Sequence, residues 1–342
     1  MGEANSLLMG IDLGTSRTMV KTNRDVRVSV DSVIGYPKDI ISAKVLGSHV
    51  AYGSEALEKR SYLDLFFPLE DGVLKEGSQR DIEAARDLLK HAVSLANPND
   101  EAFKVGIIGV PAIASFSSKE ALLAIAKDVL DVAMIVSEPF MVAYYVQKLT
   151  NSIIIDIGAG TADICGMKGT VPGLGDQVTI LKGGDYIDKV LEKRISEAYP
   201  DVQMTLHLAK RIKEQHSFVG KPDKAVTVKL RVDGKPVSYD LTDIVGSACE
   251  TIMPDIIEHL ERIVIGFDPE EQETALQNIY LAGGGAKIRG LDKYISDRLS
   301  DYGDVKVQTV DDPDYAGCSG GLKLAMDLPH QYWDEVGDVV RR

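Results

Sequence analysis

At 342 residues the chain is too long for one ordinary hydrophobic core and long enough for two domains. Its 44% hydrophobic and 26% charged residues exclude a disordered chain, and no run approaches the ~18 apolar residues of a membrane span. A net charge of −14 argues against direct binding to nucleic acid or anionic lipid, and predicts that any self-association depends on salt and divalent cations.

The first element, Leu7–Val20, is an apolar strand, then Asp-x-Gly, then small residues and Thr, then apolar residues again. That order predicts a hairpin with a tight polar turn. Residues 80–96 carry apolar positions at helical spacing. Lys104–Val110 predicts a buried strand stopped by Pro111. Ser118–Val132 predicts a helix with Ser117 or Ser118 as N-cap. Ala133–Val136 is short and apolar, and Pro139–Leu149 predicts a helix started by proline. Ser152–Met167 repeats the design of the first hairpin, which points to two related halves of an α/β protein.

Beyond it, Asp188–Tyr199 and Thr205–Gln215 predict helices, and residues 225–241 predict a hairpin turning at Asp233-Gly234. Thr242–Val264 predicts a long helix kinked or broken by Pro254. Asn278–Leu281 predicts a strand running into Gly283-Gly284-Gly285, and Leu291–Leu299 a helix. The tail after Leu328 is polar. No long linker separates the halves, so a cleft between them is the expected ligand site. Cys165, Cys249 and Cys318 are too widely spaced for a zinc pattern and read as buried apolar residues of a protein in a reducing cytoplasm. The N-terminus lacks the basic start and apolar stretch of a secretory leader; the match of Gly2 and Ser6 to a myristoylation pattern reads as chance.

Phosphate binding needs backbone N–H donors at close range, which glycine turns supply. Gly14-Thr15-Ser16 and Gly158-Ala159-Gly160-Thr161 supply them twice, with hydroxyls as further donors. Either turn alone is an ordinary hairpin turn; two of matched design point to a phosphate ligand. Asp12 and Asp156 each end an apolar strand, where a carboxylate needs a cation or donors. Capping of their own turns would serve, and so would a shared Mg²⁺ held through water. Glu138, after one strand and before a helix, fits either a favourable helix-start charge or a group that orients an attacking water. The triple glycine permits close approach of a flat or anionic group. No P-loop and no dinucleotide fingerprint is present, and the six histidines lack ligand spacing.

These motifs, in this order, resemble the superfamily of actin, the bacterial MreB proteins, DnaK-type chaperones and sugar kinases. Gly10–Ser16 is similar to its first phosphate motif, Asp156–Thr161 to the second, Leu281–Gly285 with Arg289-Gly290-Leu291 to the adenosine motif, and Glu138-Pro139 to the connecting motif. Ile212-Lys213-Glu214 is similar to the segment lining the nucleoside. Ser61–Leu65, Val136–Val142, Met253–Glu258 and Gln331-Tyr332-Trp333 narrow the resemblance to the actin-like filament proteins of magnetotactic bacteria.

The resemblance implies an actin-like α/β fold of two duplicated lobes, each with a smaller subdomain. It implies subdomain IA over 1–33, 76–150 and 312–342, IB over 34–75, IIA over 151–181 and 252–311, and IIB over 182–251. It implies ATP or ADP with Mg²⁺: Asp12 and Asp156 in the metal shell through water, and Glu138 with Asp156 in catalysis. Thr15 and Ser16 would join Gly14 and 158–161 at the phosphates. Gly283, Gly284, Gly285 and Lys287, with Lys213 and Glu214, would lie at the nucleoside. Ala162, where bacterial actins often carry a second threonine, is a departure that bears on hydrolysis rate.

The function implied is a cytoplasmic ATPase that polymerises with itself and positions magnetosomes through an adaptor. No apolar pair or amphipathic helix for membrane insertion is evident at the N-terminus or at Asn97-Pro98-Asn99-Asp100. Filaments for plasmid segregation or cell shape are the alternative, and a small-molecule kinase of the same superfamily is a further one. A chaperone is excluded by the roughly 50 residues left after the adenosine motif, too few for another domain.

Overall fold

The computed structural model describes residues 6–75, 78–98 and 103–329. The expectations placed on Gly2, Asn99-Asp100, Gln331-Tyr332-Trp333 and the rest of the polar tail lie outside the described residues. The chain forms two compact units, residues 1–148 with 314–342 and residues 149–313.

In the first unit the strands are β1 (Ser6–Leu13), β2 (Arg17–Thr22), β3 (Arg27–Asp31) and β4 (Ile34–Pro37). Helix α1 (Ile40–Leu46), β5 (Ala51–Tyr52), α2 (Gly53–Glu58), β6 (Leu63–Phe66), β7 (Leu69–Glu70) and β8 (Val73–Leu74) follow. Then come α3 (Gln79–Ala96), β9 (Phe103–Val110), α4 (Phe116–Ala126), β10 (Val132–Ser137) and α5 (Glu138–Val146). The second unit holds β11 (Thr150–Ile157), β12 (Ala162–Lys168), β13 (Gln177–Ile180), α6 (Gly184–Ala198), α7 (Leu206–His216), β14 (Thr227–Val232) and β15 (Lys235–Asp240). It continues with α8 (Thr242–Cys249), α9 (Met253–Ile265), α10 (Pro269–Leu276), β16 (Ile279–Ala282), α11 (Leu291–Arg298) and β17 (Val307–Thr309). Helix α12 (Ala316–Asp327) returns to the first unit.

The two main sheets share one plan. In the first unit the order is β3-β2-β1-β9-β10, in the second β13-β12-β11-β16-β17. Each is a three-stranded antiparallel meander extended by two parallel strands. The predicted duplication is therefore present strand for strand. In both, the lead strand is apolar on both faces because helices cover it. Leu7, Met9 and Ile11 of β1 share a core with Leu88 and Leu89 of α3. Ile153, Ile155 and Ile157 of β11 share one with Ile187, Leu191 and Ile195 of α6.

Helix α3 starts where Ser78 caps it, its hydroxyl accepting the Asp81 N–H at 3.2 Å. Helix α12 packs closely on the first sheet: a side chain at Gly10 would collide with the Cys318 carbonyl, and one at Gly320 with that of Met141. The hairpin turn at Asp233-Gly234 is where it was expected, with φ of 49° and 78°. All three cysteines are buried, and none is in a disulfide.

Two predicted helices need correction, and a third is broken as its proline allowed. The one expected from Ser118 begins at Phe116, because Ser115 and not Ser117 or Ser118 is the cap, its Oγ accepting the Ser118 N–H at 3.1 Å. It ends at Ala126, well short of Val132, which starts β10. The helix expected to reach Leu149 stops at Val146, where Gln147 turns left-handed at φ 58° and the Lys148 N–H closes on the Ala143 carbonyl at 2.9 Å. The span Thr242–Val264 is two helices joined by a 3-10 turn at Glu250–Ile252, since Pro254 lacks an N–H and is tolerated only in the first turn of α9.

Candidate functional site

The first unit gathers its predicted residues at the ends of parallel strands. Asp12 sits at the end of β1, in register with Gly109 of β9, and Glu138 follows directly on β10. Gly109 is the spacer there: a first side-chain carbon on it would come within 3.0 Å of Glu138 Cγ and 2.8 Å of Met141 Cε. Asp12 is half-buried, and burial, then the neighbouring Asp314 carboxylate, push its pKa up to about 7. A carboxylate so placed wants a cation. Two carboxylates and an open, glycine-lined strand end suit a hard ion such as Mg²⁺, which takes oxygen ligands and keeps its waters.

The turn after β1 closes with the Gly14 N–H on the Arg17 carbonyl at 3.1 Å. Ser32 supports it from behind, its hydroxyl donating to the Gly14 carbonyl at 2.7 Å, while the Ser32 N–H donates to the Ser16 carbonyl at 2.9 Å. The Thr15 hydroxyl oxygen accepts the Gly72 N–H at 2.8 Å. That bond uses a lone pair and leaves the hydroxyl proton to be donated.

The second unit repeats the turn after β11. The Gly158 N–H donates to the Thr161 carbonyl at 2.9 Å. Asp156 lies in register with Asp163 of β12 and Ala282 of β16. The hydroxyl of Thr161, expected to face phosphate, instead donates to Asp163 Oδ2 at 2.9 Å inside the fold; Asp163 also accepts from Thr179 at 2.5 Å. Position 161 therefore offers its backbone alone. The first two N–H groups of α6 donate to this turn, Gly184 to the Gly158 carbonyl at 3.0 Å and Asp185 to the Ala159 carbonyl at 2.8 Å.

The glycine segment after β16 lies against the same strand end. A side chain at Gly283, whose φ is +75°, would collide with the Asp156 carboxylate, and one at Gly285 with Ile157. Both glycines are required by packing, whatever else they approach. Gly284 and Lys287 lie exposed in the short 3-10 turn that follows. Arg289 then clamps the end of α7, donating to the carbonyls of His216 at 2.9 Å and Ser217 at 3.3 Å. Glu214 is exposed on α7. Lys213, expected beside the nucleoside, has its ammonium inside the unit, 2.9 Å from Asp188 and donating to the Gly184 carbonyl at 2.7 Å.

The sequence reading missed Gly183-Gly184, Asp188, Asp163, Gly72 and Asp314. A glycine pair directly before an amphipathic helix was the one available signal, since such a pair lets a helix start approach another backbone. Among the described residues no group of three or more His, Cys, Asp or Glu forms a ready-made metal cluster. No described helix is long and apolar enough to cross a membrane.

Comparison with known proteins sets this geometry in a family. A family model described as MreB/Mbl protein matches residues 6–331. The actin-like protein MamK of Paramagnetospirillum magneticum is 52% identical over 335 residues, which cover 98% of this chain and 96% of that protein. The structure of a MamK double helical filament is 51% identical, covers 95% of this chain and 100% of its own, and superposes with a TM-score of 0.92. A non-polymerising MamK mutant bound to AMPPNP is 51% identical, covers 94% and 99%, and gives a TM-score of 0.75. The chain belongs to the MreB/Mbl family, and within it to the actin-like MamK proteins.

Proposed function

We propose that this chain is a cytoplasmic Mg²⁺-dependent ATPase that assembles with copies of itself into filaments, and that these filaments hold magnetosomes in a chain. The observation that carries the reading is the near-complete match, at 51% identity, to a MamK subunit within a double helical filament. The AMPPNP-bound relative supports ATP as the nucleotide. The four-part division into IA, IB, IIA and IIB belongs to the same reading, as does an adaptor that joins the filament to its cargo.

In this reading Gly14 and Gly158 shape the two glycine turns, and the N–H groups at 15–16 and 159–161 receive the phosphates. The proton of Thr15 adds a hydroxyl donor on the first turn only. Gly284, Lys287 and Glu214 stand where the nucleoside is received, with Gly283 and Gly285 shaping that surface. Asp12 and Asp156 would hold Mg²⁺, and the ion when bound would neutralise phosphate charge. Glu138, fixed at the start of α5, accepts a hydrogen bond from the attacking water and orients it. Assembly follows because ATP and ADP stabilise different conformations of the subunit to different extents.

The test is to pellet the purified protein with Mg-ATP, with Mg-ADP and without nucleotide, and to image the pellets. Filaments that require ATP are expected. A protein that hydrolyses ATP and stays soluble at every salt concentration contradicts the filament reading; phosphate transfer to an added sugar would then favour a kinase.

A further inference from the structure

Three backbone carbonyls, of Gly158, Ala159 and Gly184, and one buried ion pair fix the second glycine turn. A peptide group is planar and trans, so its C=O and its N–H point in opposite directions. When the Gly158 carbonyl accepts from Gly184, the N–H of Ala159 is turned away from α6. When the Ala159 carbonyl accepts from Asp185, the N–H of Gly160 is turned away likewise. The start of α6 thus orients two consecutive donors of the turn. Gly183 makes this approach possible: a first side-chain carbon there would lie 2.5 Å from the Ala159 oxygen and 2.7 Å from that of Gly158.

The start of α6 is itself held by Lys213. Its ammonium, with side-chain exposure of 13%, reaches from α7 to the Gly184 carbonyl at 2.7 Å and to Asp188, exposure 6%, at 2.9 Å. The C-terminal end of α7, one turn on from Lys213, is fastened by Arg289, which follows the triple glycine. One hydrogen-bonded path therefore runs from the glycine segment through α7 and Lys213 to the start of α6 and on to the turn.

We infer that Lys213 is a positioning residue for the phosphate turn, acting with Asp188 through the Gly184 carbonyl, and not a contact of the nucleoside. The inference rests on the nucleotide reading above and corrects the place of one residue within it.

The discriminating variant is the double substitution Lys213→Met with Asp188→Asn. It removes the pair while keeping its net charge at zero, so a loss of phosphate affinity cannot come from a lost cation. Replacing both partners also avoids leaving one buried charge unpaired, so the fold is retained. Adenosine, ADP and ATP are titrated against it and the wild type in excess Mg²⁺, with a thermal melt of each protein. ADP and ATP are expected to bind about tenfold more weakly, the equivalent of about 1.4 kcal/mol, with adenosine changed less than twofold. Equal weakening of all three would place Lys213 at the nucleoside and overturn the inference, as would unchanged binding of ATP. If the double variant melts early, Gly184→Ala is the second test. It moves a methyl to within 2.8 Å of the Lys213 ammonium while keeping both charged residues, and the same phosphate-selective loss is expected. A wild type that binds none of the three would refute the nucleotide reading itself, a result separate from either pattern above.

Discussion

The turn after β1 and the turn after β11 close on the same hydrogen bond, Gly14 to Arg17 at 3.1 Å and Gly158 to Thr161 at 2.9 Å, yet their supports differ. The first is held by side chains and loops: Ser32 on the Gly14 carbonyl, and the Asp71-Gly72 turn on Thr15. The second is held by the backbone at the start of a helix, with its own threonine tied off on Asp163. The first unit also carries Asp12 and Glu138 at the ends of β1 and β10, on either side of β9, with Asp314 beside Asp12. One duplicated sheet has thus diverged into a more acidic half and a half whose turn is held rigidly by the backbone of a helix start.

The largest effect is expected from breaking the rigid half. Gly183→Val sets side-chain carbons against two backbone oxygens that cannot yield, so α6 must separate from the turn. ATP affinity is expected to fall about a hundredfold, since an error of roughly 1 Å in a positioned group has that consequence. A titration showing less than threefold loss in a folded variant would mean that the helix start does not hold the turn.

A smaller effect sharpens the acidic half. The Asp12 carboxyl keeps its proton up to about pH 7 in the folded chain, against an ordinary value of 3.8. Its contribution to stability is full below the ordinary value and is lost as pH rises through 7. Asp12→Asn stays neutral throughout. In EDTA its stability advantage over the wild type is expected to grow from pH 5 to pH 8, by on the order of 2 kcal/mol for a half-open carboxylate. Urea melts at the two pH values measure it; an advantage independent of pH would show that Asp12 does not titrate in this range.

These contrasts also mark what the sequence can express. The two hairpins were legible because an apolar run ending in Asp-x-Gly is a local signal, and the matched sheets followed from seeing it twice. Helix α12 was not, because Ala316-Gly317-Cys318-Ser319-Gly320-Gly321 has poor helix propensity and becomes helical through close packing on β1 and α5. The short strands β4, β5 and β6 carry too few residues for periodicity to show. At the site, the residue types were legible and their partners were not. Nothing near Thr161 says that its proton goes to Asp163 and nothing near Lys213 says that it faces Asp188, because those pairings exist only once strands and helices are assembled.

Hydrolysis by the acidic half, with binding left to both turns, is the central chemical claim, and phosphate release from Glu138→Ala tests it most directly. In Mg-ATP the variant is expected to pellet as the wild type does and to release phosphate at least about a hundredfold more slowly, the scale of a lost general base. Release at the wild-type rate from a variant that binds ATP and pellets normally would contradict the claim and remove Glu138 from the chemistry.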